Sequence, residues 1–86
     1  MSSNIEQQIK EYIAENILFS SDGYPYPEET SFMENGIVDS MNVMEIVAYV
    51  EETFGIRVED REIIPANFDS VKNLANYLRM KGVNGK

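Results

Sequence analysis

Apolar side chains recur three or four positions apart in three segments of the chain, which is the spacing of a helix that buries one face. The first segment predicts a helix over about residues 4–18. Ser3 followed by Glu6 has the spacing of a capping box at its start. The apolar stripe of this helix, which we expect in the core, consists of Ile5, Ile9, Tyr12, Ile13 and Ile17.

Residues 19–39 show no sustained period and predict a long loop. Asp22-Gly23 is a turn signal, and Tyr24-Pro25-Tyr26-Pro27 cannot lie inside a helix, because proline lacks a backbone N–H. That run is either a partner-specific surface or an insertion whose rings lie on the helices. Loops this long in small domains are usually functional. We expect four apolar residues to hold the 19–39 loop against the core: Phe32, Met33, Ile37 and Val38.

The second periodic segment predicts a helix over about residues 40–54, with Asp39 or Ser40 as its N-cap and Gly55 as its C-cap. At about 100° per residue, one arc of it is apolar and faces the core. That arc contains Val43, Ile46, Val47, Val50 and Phe54.

The opposite face of this second helix combines apolar side chains with carboxylates. Methionine is adaptable and suits surfaces that meet several partners, so we interpret this face as a docking surface for a basic groove. The alternative is that Met41 or Met44 lies under the long loop and that the glutamates are ordinary solvated side chains. We call these residues the docking face: Met41, Met44, Glu45, Ala48, Glu51 and Glu52.

After Gly55, an extended connector at residues 56–58 precedes one or two helical turns between residues 60 and 68. We expect Pro65 to stop the first of these turns. The third periodic segment predicts a helix over about residues 70–81, capped by Asp69 or Ser70 and followed by a frayed tail at 82–86. The expected anchors are Ile63, Ile64 and Phe68 in the short turns, and Val71, Leu74, Ala75 and Leu78 in the last helix, with Tyr77 on its shoulder.

Composition narrows the possible functions. The 86 residues predict one all-α domain, and 15 acids against seven bases give a net charge of −8, which disfavours nucleic acid and favours basic protein partners. The chain has no cysteine and no histidine, so it lacks thiolate metal ligands and the commonest general base. No apolar run approaches the ~20 residues of a membrane span, and the first residues are unlike a signal peptide, so we expect a cytoplasmic protein.

The run from Gly36 to Met41 places the Ser40 hydroxyl at the start of the second helix, near the positive end of its dipole, where a phosphate is favoured. The run Glu34-Asn35-Gly36-Ile37-Val38-Asp39-Ser40-Met41 is followed by Glu45-Ile46-Val47, by Glu51-Glu52-Thr53-Phe54-Gly55-Ile56, and by Phe68-Asp69-Ser70-Val71. This pattern resembles the acyl carrier and peptidyl carrier proteins, whose attachment motif is Gly-x-x-Asp-Ser-Leu or Met. The resemblance extends from about Ile5 to Leu78.

The resemblance implies a four-helix bundle of acyl-carrier type, with three main helices, a short third helix and a long first loop, over residues 1–86. It implies that 4′-phosphopantetheine from coenzyme A is attached to Ser40 by a separate phosphopantetheinyl transferase, which supplies the magnesium and the base. Asp39 is then an N-cap and part of the transferase contact. The chain is expected to be a monomeric, non-catalytic carrier. Its implied partners are that transferase, acyl- or aminoacyl-activating ligases, acyltransferases, and synthases with basic docking surfaces.

Several alternatives stay open at this point. Fatty-acid carriers of the housekeeping type usually have an acid where this chain has Asn42 and leucine where it has Met41. These departures favour a specialised carrier in fatty-acid, lipid, polyketide or other secondary-metabolite synthesis. Another possibility is an aminoacyl, D-alanyl or peptidyl carrier loaded by an adenylating ligase. The rivals from other classes are an unmodified acidic adaptor for basic partners and a small enzyme. A calcium site at Asp22, Glu28 and Glu29 lacks EF-hand spacing.

Overall fold

The computed structural model describes residues 4–83, and in that range the chain is helical, without a strand. The predicted all-α class, with a long first loop and a short third helix, is confirmed. The predicted capping residue Ser3 and the end of the predicted tail, residues 84–86, lie outside the described range. The elements are α1 (Ile5–Asn16), α2 (Ser40–Phe54), a 3-10 turn (Asp60–Glu62), α3 (Pro65–Phe68) and α4 (Val71–Met80).

The ends of α1 are set by local hydrogen bonds. Its N-cap is Asn4, whose side chain accepts the Gln7 N–H at 2.7 Å. The helix ends at Asn16, two residues before the predicted end, and the chain then turns through Phe19, which has a left-handed φ of 53°.

None of the described helices is long and apolar enough to cross a membrane.

The core is a single cluster formed by the inner faces of the three longer helices, by Phe68 of α3 and by part of the long loop. From the loop, Phe32, Ile37 and Val38 are buried, as the sequence predicts. Met33 was wrongly assigned to the core: its side chain is 50% exposed, because the neighbouring Phe32 takes the inward position. The helices contribute Ile5, Ile9, Ile13, Ile46, Val47, Val50, Val71, Leu74, Ala75, Tyr77 and Leu78.

The Tyr-Pro-Tyr-Pro run lies with one ring on the bundle. The ring of Tyr24 is half-buried and meets Phe32 edge-on, with ring centroids 6.5 Å apart. Tyr26 contacts Tyr24 at 5.5 Å and is 38% exposed. Burial raises the pKa of Tyr24 to about 12, so this ring stays neutral and covers the core.

The segment between α2 and α4 departs most from the sequence prediction. The 3-10 turn ends before Pro65, at Glu62, as the sequence predicts. Pro65 also opens α3 at the first helical position, where its missing N–H costs no hydrogen bond. Ile64 is 45% exposed and is therefore not a core anchor, whereas Phe68 is buried. Tyr77, predicted on the shoulder of α4, is only 2% exposed and lies 5.2 Å from the Phe68 ring.

One carboxylate joins this segment to α4. Glu62, at the end of the 3-10 turn, accepts hydrogen bonds from the Tyr77 hydroxyl at 2.8 Å and from Lys81 Nζ at 3.1 Å. It also accepts the backbone N–H of Glu59 at 3.0 Å. The Glu59 N–H first, and then Lys81 and Tyr77, lower the pKa of Glu62 to about 2. The short segment that carries α3 is therefore held by an ionised side chain.

We predict that Glu62→Gln makes stability less dependent on pH in acid. The folded-state pKa of Glu62, about 2, lies below the usual 4.5, so its stabilisation is complete above about pH 4.5 and is lost as the pH falls toward 2. Urea unfolding followed by circular dichroism at pH 7, 4 and 2.5 measures this. The wild type should lose more stability over this range than the variant, whereas Glu52→Gln, at an exposed position, should behave like the wild type.

Candidate functional site

Ser40 is the first residue of α2, and Asp39 before it is the N-cap. The Asp39 carboxylate accepts the backbone N–H of Met41 at 3.0 Å and of Asn42 at 2.9 Å. The Ser40 hydroxyl is therefore not needed as the cap. It is exposed and makes no hydrogen bond within residues 4–83. A free hydroxyl at a helix N-terminus can react with, and then carry, an anionic phosphoryl group.

The loop before α2 holds this serine outward. Gly36 turns the chain with a φ of 67°, a left-handed conformation that favours glycine. The next two residues are buried, and the N–H groups of Ile37 and Val38 both point to the Phe32 carbonyl, at 2.8 and 3.3 Å. Because Ile37 and Val38 are fixed in the core, the following Asp39 and Ser40 emerge at the surface.

An open apolar cleft of about 280 Å³ lies beside Ser40, between α2 and the segment that carries α3. We call it the Ser40 cleft. The sequence pattern did not identify it, because its walls come from the loop, α2 and the α3 segment, which only the fold brings together. The one signal was the presence of apolar residues outside the periodic stripes, such as Met33 and Ile64. The lining residues are Met33, Ser40, Val43, Met44, Ile63, Ile64, Pro65, Phe68 and Asp69.

The methionines of the docking face are exposed to solvent. Met41 is 80% exposed and Met44 is 55% exposed, so neither lies under the long loop. Met44 forms part of the wall of the Ser40 cleft. Glu45, Ala48 and Glu52 are exposed as well. The structure thus leaves an apolar strip flanked by carboxylates beside Ser40, and its docking role stays a prediction.

Glu51 differs from the other glutamates of the docking face. Its side chain is half-buried, and its carboxylate accepts the backbone N–H of Val58 at 2.9 Å. That bond ties the connector after α2 back to the helix. A charge reversal at Glu51 would disturb the fold, so it cannot test docking by itself.

Negative charge surrounds Ser40. Asp39 lies beside Ser40, Glu45 is held by the Asn42 amide at 3.2 Å, and Asp69 lines the Ser40 cleft, whose lining contains no lysine or arginine. The Asp39 carboxylate is directed to the backbone of α2, so it is not placed as a base for Ser40. Within the described residues, no group of three acidic side chains could hold a metal ion.

Comparison with known proteins agrees with this geometry. The family model described as "Phosphopantetheine attachment site" matches residues 7–78. One similar solved chain comes from a crystal structure described as an FAD-dependent dehydrogenase. The sequence of that solved chain is 26% identical to this one, and the two structures superpose with a TM-score of 0.68. The alignment covers 80% of this chain and 96% of the solved chain.

We predict that the Asp39 cap stabilises α2 through its oxygen atoms. Asp39→Ala removes the acceptor for two N–H groups and should lower the free energy of unfolding by about 1 kcal/mol. Asp39→Asn keeps a side-chain oxygen at the same position and should cost much less. Thermal or urea unfolding of the two variants measures the difference. Equal losses in both would contradict the capping role and indicate that the charge itself is required.

Proposed function

This chain belongs to the family of phosphopantetheine attachment-site domains, and we propose that it holds acyl or aminoacyl intermediates as thioesters on an arm attached to Ser40. Domains of this family carry 4′-phosphopantetheine covalently and are generally non-catalytic. The observation that carries the proposal for Ser40 is its exposed hydroxyl, which is free of hydrogen bonds to residues 4–83 and lies at the start of α2 inside the matched region.

In this proposal the chain is the substrate of a phosphopantetheinyl transferase. Ser40 Oγ attacks the phosphate of coenzyme A that bears the pantetheine. A new P–O bond forms, the phosphoanhydride bond breaks, and adenosine 3′,5′-bisphosphate leaves. The serine proton goes to a base of the transferase, because the carboxylate of the preceding residue, Asp39, accepts hydrogen bonds from the helix backbone. The attached phosphate then lies at the N-terminus of α2, where the positive end of the helix dipole favours negative charge.

The docking face suits partners that must bind briefly. The attached arm supplies a thiol, and each enzyme that acts on the thioester must then release the protein. Exposed carboxylates such as Glu45 and Glu52 raise the association rate without adding much affinity. Met41 and Met44 add an adaptable apolar contact. The proposed partners are the transferase, acyl- or aminoacyl-activating ligases, acyltransferases and synthases with basic docking surfaces.

The similar solved chain suggests one further class of partner to test. It comes from a structure described as an FAD-dependent dehydrogenase. A flavoenzyme of that class would oxidise the carried group by two electrons while it remains on the arm.

The rival function is that of an unmodified acidic adaptor. It uses the same docking face but needs no reaction at Ser40.

We predict that Ser40 is the only residue modified when the protein is incubated with coenzyme A, magnesium and a broad-specificity phosphopantetheinyl transferase. Intact mass spectrometry should show the gain of one phosphopantetheine in the wild type and none in Ser40→Ala. A known carrier protein serves as the positive control for the enzyme. If the known carrier is converted and this protein is not, the carrier proposal fails and the adaptor alternative is favoured.

We predict that charge reversal on the docking face slows this loading without unfolding the protein. Glu45→Lys and Glu52→Lys place cations where a basic partner binds, and each should lower the loading rate several-fold at low salt and less at high salt. Glu15→Lys makes the same charge change at an exposed site on α1 and is the matched control. Equal rates for all three variants would exclude the docking face.

A further inference from the structure

The methionines in the described part of the chain all lie at the surface. The chain has five methionines and no cysteine, so thioethers are its only sulfur groups. Four of the five lie within residues 4–83: Met33 is 50% exposed, Met41 80%, Met44 55% and Met80 70%. The buried apolar residues of that range are isoleucine, leucine, valine, alanine, phenylalanine and tyrosine. A small oxidant such as hydrogen peroxide therefore reaches the methionines without opening the core.

Three of these four methionines lie around Ser40. Met41 follows Ser40 in α2, and Met33 and Met44 line the same cleft as Ser40. We call Met33, Met41 and Met44 the methionine cluster. Met80, the fourth, is the last residue of α4 and does not line that cleft. An enzyme that reaches the Ser40 hydroxyl from solvent therefore contacts the methionine cluster and can leave Met80 untouched.

Methionine gives this surface a property that leucine would not. Both side chains are apolar and of similar size, but only methionine has a thioether, which peroxide oxidises to a polar sulfoxide. The carboxylates of Asp39 and Asp69 accept the N–H groups of Met41 and Met33, and Glu45 follows Met44 in α2. Carboxylates accept hydrogen bonds and do not donate them to a sulfoxide oxygen. Packing an oxidised cluster against the apolar surface of an enzyme therefore buries an unpaired oxygen, which weakens binding.

We propose that the methionine cluster is a site of reversible oxidation, and that its sulfoxide form slows the attachment of the arm to Ser40 while the fold stays intact. This inference rests on the proposed carrier function, because it concerns the rate of a reaction at Ser40. Oxidation removes the apolar contact that Met41 and Met44 offer to the transferase. The carboxylates of the docking face are unchanged by it, so the effect is separate from the charge effect of Glu45 and Glu52.

The chemical step needs only hydrogen peroxide. The thioether sulfur attacks one oxygen of the peroxide, an S–O bond forms and the O–O bond breaks. The proton on the transferred oxygen moves to the departing hydroxide, which leaves as water. Sulfur loses two electrons and the peroxide gains them. A methionine sulfoxide reductase reverses the change: a dithiol is oxidised to a disulfide, and the sulfoxide oxygen leaves as water.

The test measures loading before and after oxidation. The protein without its arm is treated with hydrogen peroxide, and catalase removes the peroxide before the transferase and coenzyme A are added. Peptide mass spectrometry reports the sulfoxide content at each methionine, and circular dichroism reports the helices. One variant combines Met33→Leu, Met41→Leu and Met44→Leu, and the matched control is Met80→Leu, at an exposed site outside the cluster. Each protein is compared with itself, so an effect of leucine on the untreated rate cancels.

We expect oxidation of the cluster to lower the loading rate of the wild type about five- to tenfold, as one polar oxygen buried without a partner would do. The helical signal should be unchanged. Treatment with a methionine sulfoxide reductase and dithiothreitol should restore the rate. The triple leucine variant should change less than twofold after peroxide, although its Met80 is oxidised. Met80→Leu should lose as much of its rate as the wild type.

The outcomes separate this inference from the function on which it rests. If the untreated protein is not loaded while a known carrier is, the carrier proposal fails and the oxidation proposal fails with it. If the untreated protein is loaded and full oxidation of the cluster leaves the rate unchanged, only the oxidation proposal is overturned. An equal loss in the triple leucine variant, or a loss of helical signal together with the loss of rate, would also overturn it.

Discussion

Asp69 holds the long loop in place, and the rest of the site depends on it. Its backbone carbonyl accepts the Phe32 N–H at 2.7 Å, and its carboxylate accepts the Ser31 hydroxyl and the Met33 N–H. Three consecutive loop residues are thus tied to the junction of α3 and α4. Ordering a loop of this length costs conformational entropy. Burial of Phe32 and hydrogen bonds to an ionised acceptor offset that cost.

From this fixed point the chain has little freedom before α2. The N–H groups of Ile37 and Val38 donate to the Phe32 carbonyl, and their side chains are buried in the core. The next two residues, Asp39 and Ser40, therefore lie at the surface. Asp39 then caps the helix and leaves the serine hydroxyl without a structural task. In the proposed function this separation of roles matters, because a serine that also capped the helix would lose its hydrogen bond on modification.

The same packing that exposes Ser40 also forms the Ser40 cleft. Asp69 fixes Met33 on one side, and the contacts of Glu62 with Tyr77 and Lys81 fix the segment that carries Ile63 and Ile64 on the other. The apolar walls are left partly open to water, which costs stability. Such surface is typical of a place where another molecule binds.

The sequence by itself determined the helical class and the three amphipathic helices. It also determined Gly55 as a left-handed cap and the position of Ser40 at the N-terminus of α2. The reason is that periodicity and capping are local properties. The tertiary structure alone decided which apolar residues stay outside. Met33 and Ile64 were expected in the core and are exposed, and Tyr77 was expected on the shoulder of α4 and is buried. Pro65 follows the 3-10 turn, as expected, but it also opens α3, which was not expected. These placements depend on which elements meet. Glu51 was expected on the docking face, and Asp69 was one of two candidate caps of α4, a position that Ser70 takes. Only the fold supplies the donors that engage these two carboxylates.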